Sequence, residues 1–158
     1  MLFVLFCVFA DMGTGKTFVA LSVIWSLCRN GKGKGVIVCP STLVGNWKKE
    51  ILHWFPKTLG RTTLFILGSN SSRGSQGTDA IIEEFITSHA AIHPVLVLSY
   101  DMFRIYADFL NTIACFHTII CDEGHRLKNA YGTKTTLALG NCGAMQRVVL
   151  TGTKAPYY

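Results

Sequence analysis

Along the chain, short runs in which nearly every residue is apolar alternate with longer stretches in which apolar residues recur every three or four positions. The short runs fall at about 2–9, 35–39, 62–67, 95–98, 116–121 and 146–151. Each predicts a strand covered on both faces, because such strands are apolar throughout instead of alternating. The longer stretches predict helices at 17–28, 43–55, 79–89, 101–113 and 133–139. In the second of these, Leu43, Val44, Trp47, Ile51, Trp54 and Phe55 stand near helical spacing. Strand–helix alternation of this kind argues for an α/β fold: a doubly wound parallel sheet with helices on both faces. The stretch GSNSSRGSQGT at 68–78 is rich in Gly and Ser and reads as a loop. The opening run, MLFVLFCVFA, has the apolar character of a signal-peptide core. It lacks a basic leader, is too short to cross a bilayer and runs straight into a glycine-bearing turn, so a buried strand accounts for it better.

That turn carries the first candidate chemistry. ADMGTGKT, residues 10–17, fits the phosphate-loop pattern G-x-x-x-x-G-K-[ST], with Ala10 where the first Gly usually stands. Gly13, Thr14 and Gly15 would bring backbone N–H groups onto phosphate oxygens at a helix N-terminus. Lys16 would reach the outer phosphates, and the Thr17 hydroxyl would ligate Mg²⁺. The plainer reading is a glycine turn that happens to precede Lys-Thr; the strand before it and the helix after it weigh against that. A dinucleotide fingerprint is excluded, since G-x-G-x-x-G is absent. The second candidate is FHTIICDEGHRLKN, residues 116–129, where an apolar strand ends in Asp122 and Glu123. A carboxylate at the tip of a neighbouring parallel strand is where such folds hold Mg²⁺, so Asp122 is the metal-side candidate and Glu123 the water-activating base. Two adjacent acids could be mere surface charge if seen alone. Together with the phosphate loop they point to nucleotide hydrolysis.

Composition narrows this further. At 158 residues, with 49% hydrophobic and 15% charged residues, the chain is one globular domain and not a disordered segment. Its net charge of +6 is spread along the sequence and fits either nucleic acid or a basic surface with no partner. Lys48, Lys49, Arg104, Arg126 and Lys128 are the cations best placed to meet phosphates, and nothing resembles a base-reading element. Lys48 and Lys49 read equally well as a solvated helix face, and Trp47 and Trp54 read first as core. The six cysteines include no C-x-x-C pair, which favours free thiols in a reducing compartment. The spacing of Cys115, His117, Cys121 and His125 is not a zinc pattern, so no zinc is expected. No membrane association is expected either.

At this point the motifs resemble a family, the Swi/Snf-type helicase-like ATPases of helicase superfamily two. MGTGKT is similar to its motif I, VIVCPSTLVGNWKKEILHWFP (36–56) to motif Ia, VLVLSYDMFR (95–104) to motif Ib, CDEGHRLKN to motif II and VVLTGT (148–153) to motif III. They occur in the family's order over essentially the whole chain, and the wording is most similar to the recombination-repair DNA translocase branch. The resemblance implies a RecA-like P-loop NTPase lobe that binds ATP and Mg²⁺, in a nuclear, DNA-dependent ATPase acting in recombination repair or chromatin remodelling. It implies coupling roles for His125, Thr151, Gly152 and Thr153. It also implies that Ser41, Asn46, Trp47, Ser99, Tyr100 and Lys128 lie on or near a surface for the backbone of double-stranded DNA. A recombinase or a nucleosome would be the protein partner. The family's second lobe, with its transition-state arginine, is expected to be absent here, so the chain alone would hydrolyse ATP negligibly. The alternative expectation is a catalytically dead module that docks DNA or a protein.

Overall fold

The apolar runs at 35–39, 95–98 and 116–121 become strands covered by helices on both faces, whereas in the first run Phe6 and Cys7 are exposed, contrary to the expectation of cover on both sides. The structure is a computed structural model that describes residues 4–9, 15–28, 33–66, 75–112, 116–124 and 134–152. The elements run β1 (Val4–Phe9), α1 (Lys16–Cys28), β2 (Gly35–Cys39), a 3₁₀ turn (Ser41–Leu43), α2 (Val44–Trp54), α3 (Leu59–Thr62), β3 (Leu64–Phe65), α4 (Ser75–Thr87), β4 (Val95–Ser99), α5 (Tyr100–Thr112), β5 (Thr118–Cys121), α6 (Lys134–Gly140) and β6 (Gln146–Thr151). All pairings are parallel, in the order β1-β6-β5-β2-β4-β3.

Every position of β2, β4 and β5 is buried. Alternate side chains of a strand point to opposite faces. Val36, Val38, Leu96, Leu98, Ile119 and Cys121 therefore meet α4, α5 and α6 on one face. Ile37, Cys39, Val95, Val97 and Ile120 meet α1, α2 and α3 on the other. The direction of each crossover sets the face. Steps from β1 to β2 and from β2 to β3 run one way along the sheet and put their helices on one side. Steps from β3 to β4, β4 to β5 and β5 to β6 run the other way and put theirs opposite, as constant crossover handedness requires. Fully buried anchors such as Ile51, Phe85 and Phe103 each stabilise this packing by about 1.5–3 kcal/mol.

Two expectations are corrected. The strand expected at 62–67 shrinks to Leu64–Phe65, because α3 occupies the residues before it. Leu59 is fully buried and anchors that turn, and Thr63 N–H closes it on the Leu59 carbonyl at 2.9 Å. Helix α4 begins at Ser75, inside the polar stretch read as a loop. Burial of Ile82 and Phe85 against the sheet overrides the weak helix propensity of its first turn. Residues 68–74 of that stretch lie outside the described residues. No helix among the described residues is long and apolar enough to cross a membrane.

Candidate active site

In a parallel sheet all strands end at the same edge, and each strand leading to a candidate residue delivers it there. β1 leads toward the phosphate loop, β2 toward Ser41, β4 into Tyr100, β5 into Asp122 and Glu123, and β6 through Thr151 into Gly152. β2 and β5 are neighbours, yet the next described helices, α2 and α6, lie on opposite faces of the sheet. Divergence of that kind opens a crevice at the strand ends.

On the phosphate side, Gly15 has φ +83°, in the left-handed region that favours glycine. A Cβ there would meet nothing within 4 Å, so the demand on glycine is conformational and not steric. Val19 N–H donates to the Gly15 carbonyl at 3.0 Å and closes the first turn. Lys16 and Thr17 open α1, both partly exposed. Burial of Ala20, Leu21 and Ile24 fixes the helix against the sheet. Its N-terminus, where unpaired N–H groups carry partial positive charge, is thereby held at the strand ends. Gly13 and Thr14 lie outside the described residues.

On the carboxylate side, Asp122 is held on every side. Its backbone N–H donates to the Val38 carbonyl at 2.8 Å, extending the β5–β2 pairing by one bond. Its Oδ1 accepts Glu123 N–H at 2.9 Å, and its Oδ2 accepts the Trp47 indole N–H at 2.9 Å. Its carbonyl accepts the Tyr100 hydroxyl at 2.7 Å. Burial pushes the Asp122 carboxyl above the usual carboxylate range. The Trp47 and Glu123 hydrogen bonds and the positive charge of Lys16 pull it back, while the Glu123 charge adds to the rise. Lys16 opens α1 at the same sheet edge where β5 ends in Asp122. Glu123 has φ +54°, a strained conformation for a residue with a side chain, and such strain concentrates at functional sites.

Sequence reasoning passed over Gly124. A Cβ at this position would lie 2.2 Å from Cγ1 of Val149 on β6, closer than real contacts allow. The turn after Asp122 thus packs directly on β6. Its only sequence signal was a glycine inside the motif.

The other predicted residues divide. Thr151 is buried at the end of β6, paired in register with Phe9 at the end of β1, and Gly152 follows it, partly buried. Ser41 and Asn46 are exposed, as are Lys48, Lys49 and Arg104. Trp47 is only 2% exposed, and Ser99 is buried with its Oγ accepting Met102 N–H at 3.3 Å, so neither lies on the surface. Tyr100 is partly buried and turned toward Asp122. Trp54, read with Trp47 as core, is 48% exposed, donates to Glu50 at 2.8 Å and packs on Phe18 with ring centres 4.9 Å apart. His125, Arg126, Lys128 and Thr153 lie outside the described residues, as does Cys115 of the cluster weighed for zinc.

Solved structures share this fold. The chain superposes on the SWI2/SNF2 ATPase core of Sulfolobus solfataricus in complex with dsDNA, with a TM-score of 0.69 and 21% identity over 94% of this chain and 27% of that one. It superposes on the UvsW helicase of bacteriophage T4 with a TM-score of 0.63 and 17% identity, over 96% and 46% respectively. The fold is that of a helicase RecA-like lobe. The SNF2-related domain family matches residues 5–156, and the chain belongs to that family. It is 38% identical over 157 residues to the DNA repair protein rhp54 of Schizosaccharomyces pombe, covering 93% of this chain and 18% of that protein. It is 41% identical over 150 residues to the DNA repair and recombination protein RAD54B of Mus musculus, covering 90% and 15%. It is 37% identical over 161 residues to the DNA repair and recombination protein RAD54 of Saccharomyces cerevisiae, covering 93% and 17%. The chain therefore spans less than a fifth of the length of these relatives.

Proposed function

We propose that this chain is the ATP-binding lobe of a DNA-dependent ATPase that translocates on double-stranded DNA in recombination repair. Chromatin remodelling, nuclear residence and a recombinase or nucleosome as protein partner belong to the same reading. The observation that supports it most is that Lys16, at the start of α1, and Asp122, just past the end of β5, stand at the same edge of the parallel sheet. Far apart in sequence, the two meet at the strand-end crevice.

The donor set suits Mg²⁺, which prefers hard oxygen ligands. Asp122 offers a carboxylate with lone pairs beyond the two already engaged, and Thr17 offers a hydroxyl. Lys16 and the N–H groups of Gly13, Thr14 and Gly15 would bind the phosphates. Glu123 would hold the proton of the attacking water. When bound, Mg²⁺ supplies charge neutralisation at the phosphates. On the DNA side, exposed Ser41 and Asn46, with Lys48 and Lys49, would meet backbone phosphates without reading bases. One lobe supplies one side of such a site, so turnover by these residues alone would be negligible; an arginine supplied from elsewhere is worth about 10³–10⁵ in rate.

Thermal stability titrated with Mg·ATP tests the reading. The wild-type chain should show a rise in melting temperature that needs Mg²⁺, since a ligand at about 100 Kd stabilises by ~2.7 kcal/mol. Lys16→Ala should abolish the rise. Absence of any shift in a folded wild-type chain at millimolar ATP would sink the ATPase reading in favour of a docking module.

A further inference from the structure

We propose that Trp47 and Tyr100 are positioning residues that hold the Asp122 carboxylate from opposite faces of the sheet. This rests on the reading of Asp122 as the Mg²⁺-side carboxylate. Trp47 sits on α2, among the side chains packed with Ile37, Cys39 and Ile120. Tyr100 opens α5 and packs with the opposite cluster, against Val38, Leu98 and Cys121 and their neighbours. Each reaches the β5 terminus, from its own side. The indole N–H meets Oδ2 at 2.9 Å and the phenol hydroxyl meets the backbone carbonyl at 2.7 Å.

The two bonds do different things. The Tyr100 bond pins the peptide group from which the turn to Gly124 begins, and so sets where Asp122 Cα stands. The Trp47 bond fixes the rotation of the carboxylate about its own axis. Glu123 N–H already holds Oδ1, so both oxygens have one fixed donor, and the lone pairs that remain are oriented. A buried indole N–H needs a partner, and many carbonyls in the core would serve. Its partner here is a carboxylate, which makes the stronger, charge-assisted bond. The indole itself is gripped: Trp47 is 2% exposed between Val44 and Ile51, which are also buried. Partners that orient a metal ligand in this way change metal affinity by about 10–100-fold when removed.

The test uses the chain itself, a fluorescent ATP analogue and Mg²⁺ titrated alone into the mixture. Trp47→Phe keeps an aromatic ring and removes the N–H; Tyr100→Phe removes only the hydroxyl. In Trp47→Phe, the Mg²⁺ concentration giving half of the metal-dependent nucleotide binding should rise about tenfold. Nucleotide binding without metal, and binding to double-stranded DNA across a salt series, should not change. Tyr100→Phe should shift the Mg²⁺ midpoint in the same direction. A second readout keeps the question open to refutation if Trp47→Phe does not fold. With 5-fluorotryptophan in the otherwise unaltered chain, the ¹⁹F resonance of Trp47 should move when Mg²⁺ joins the bound nucleotide, while that of exposed Trp54 stays. Mg²⁺ midpoints equal to wild type, or a Trp47 resonance indifferent to Mg²⁺, would overturn the proposal and leave the ATPase reading standing. Loss of DNA binding with an unchanged Mg²⁺ midpoint would make these residues DNA contacts instead. No metal-dependent nucleotide binding by wild type would remove the ATPase reading and this proposal with it.

Discussion

Gly124 shows how much can rest on one missing methyl group. The turn that carries Asp122 and Glu123 approaches β6 so closely that any Cβ would enter the side chain of Val149. Valine has stiff rotamers and cannot swing aside without backbone movement. Gly124→Ala is expected to cost about 1–3 kcal/mol by overpacking. Adding Val149→Ala should recover part of that loss, which paired urea melts of the single and double variants would show. Trp47 marks the limit of what could be read at this scale. Helical spacing placed it correctly on the buried face, but spacing says nothing of what a ring nitrogen meets once buried. That partner lies on another strand, and only the crossover geometry brings it near.

Among the elements, α4 is the one the sequence described least well. Its first turn is Ser-Gln-Gly-Thr, a composition that reads as loop because Ser, Gly and Thr are weak helix formers and there is no apolar stripe. The core residues that force it into a helix come later, at Ile82 and Phe85. Its far end depends on Lys34, which lay unnoticed in the polar stretch before β2. Lys34 is only 5% exposed; its ammonium donates to the Phe85 carbonyl, and to that of Ile86 at 3.3 Å, and sits 4.9 Å from the Phe85 ring centre. A cation at a helix C-terminus satisfies carbonyls that have no partner within the helix. Lys34→Met keeps the aliphatic stem and removes the ammonium from both carbonyls, leaving that of Phe85 with only the Ser88 hydroxyl at 3.4 Å. It should destabilise by about 1–3 kcal/mol, seen as a lower urea midpoint with unchanged slope. Most strands were more legible than this, because a short apolar run flanked by turn residues suits a strand buried on both faces; the run at 62–67, where a helix took the first residue, was the exception.

For the molecule as a whole, the double-sided sheet governs behaviour in alkaline solution. Burial pushes the thiols of Cys39 and Cys121 up to about 12. Below pH 9 both folded and unfolded chains keep these thiols protonated, and stability is indifferent to them. Between pH 9 and about 12 the unfolded chain loses protons that the folded chain retains, so stability falls as pH rises. Denaturation midpoints measured from pH 8 to 11 should decline across that window, and less steeply in Cys39→Ala/Cys121→Ala. The overall architecture was readable from alternating apolar runs and helical stripes, and the motifs marked residues 10–17 and Asp122-Glu123 as the candidates for chemistry. What the motifs could not supply was their meeting, because strand order is a property of the sheet and not of any one segment.

Strand order also sets a timetable. Among the described residues β1 pairs with β6 alone, joining Val4 to Gln146 across nearly their full span. Contacts so distant along the sequence are slow to form, because a long loop must close before the pairing rewards it. During synthesis β1 leaves the ribosome before the other strands of this sheet and acquires its neighbour last. A six-residue apolar strand must therefore wait, unpaired, while the rest of the sheet is made. Until that pairing forms, the strand presents an open apolar edge, the kind of surface on which chaperones act.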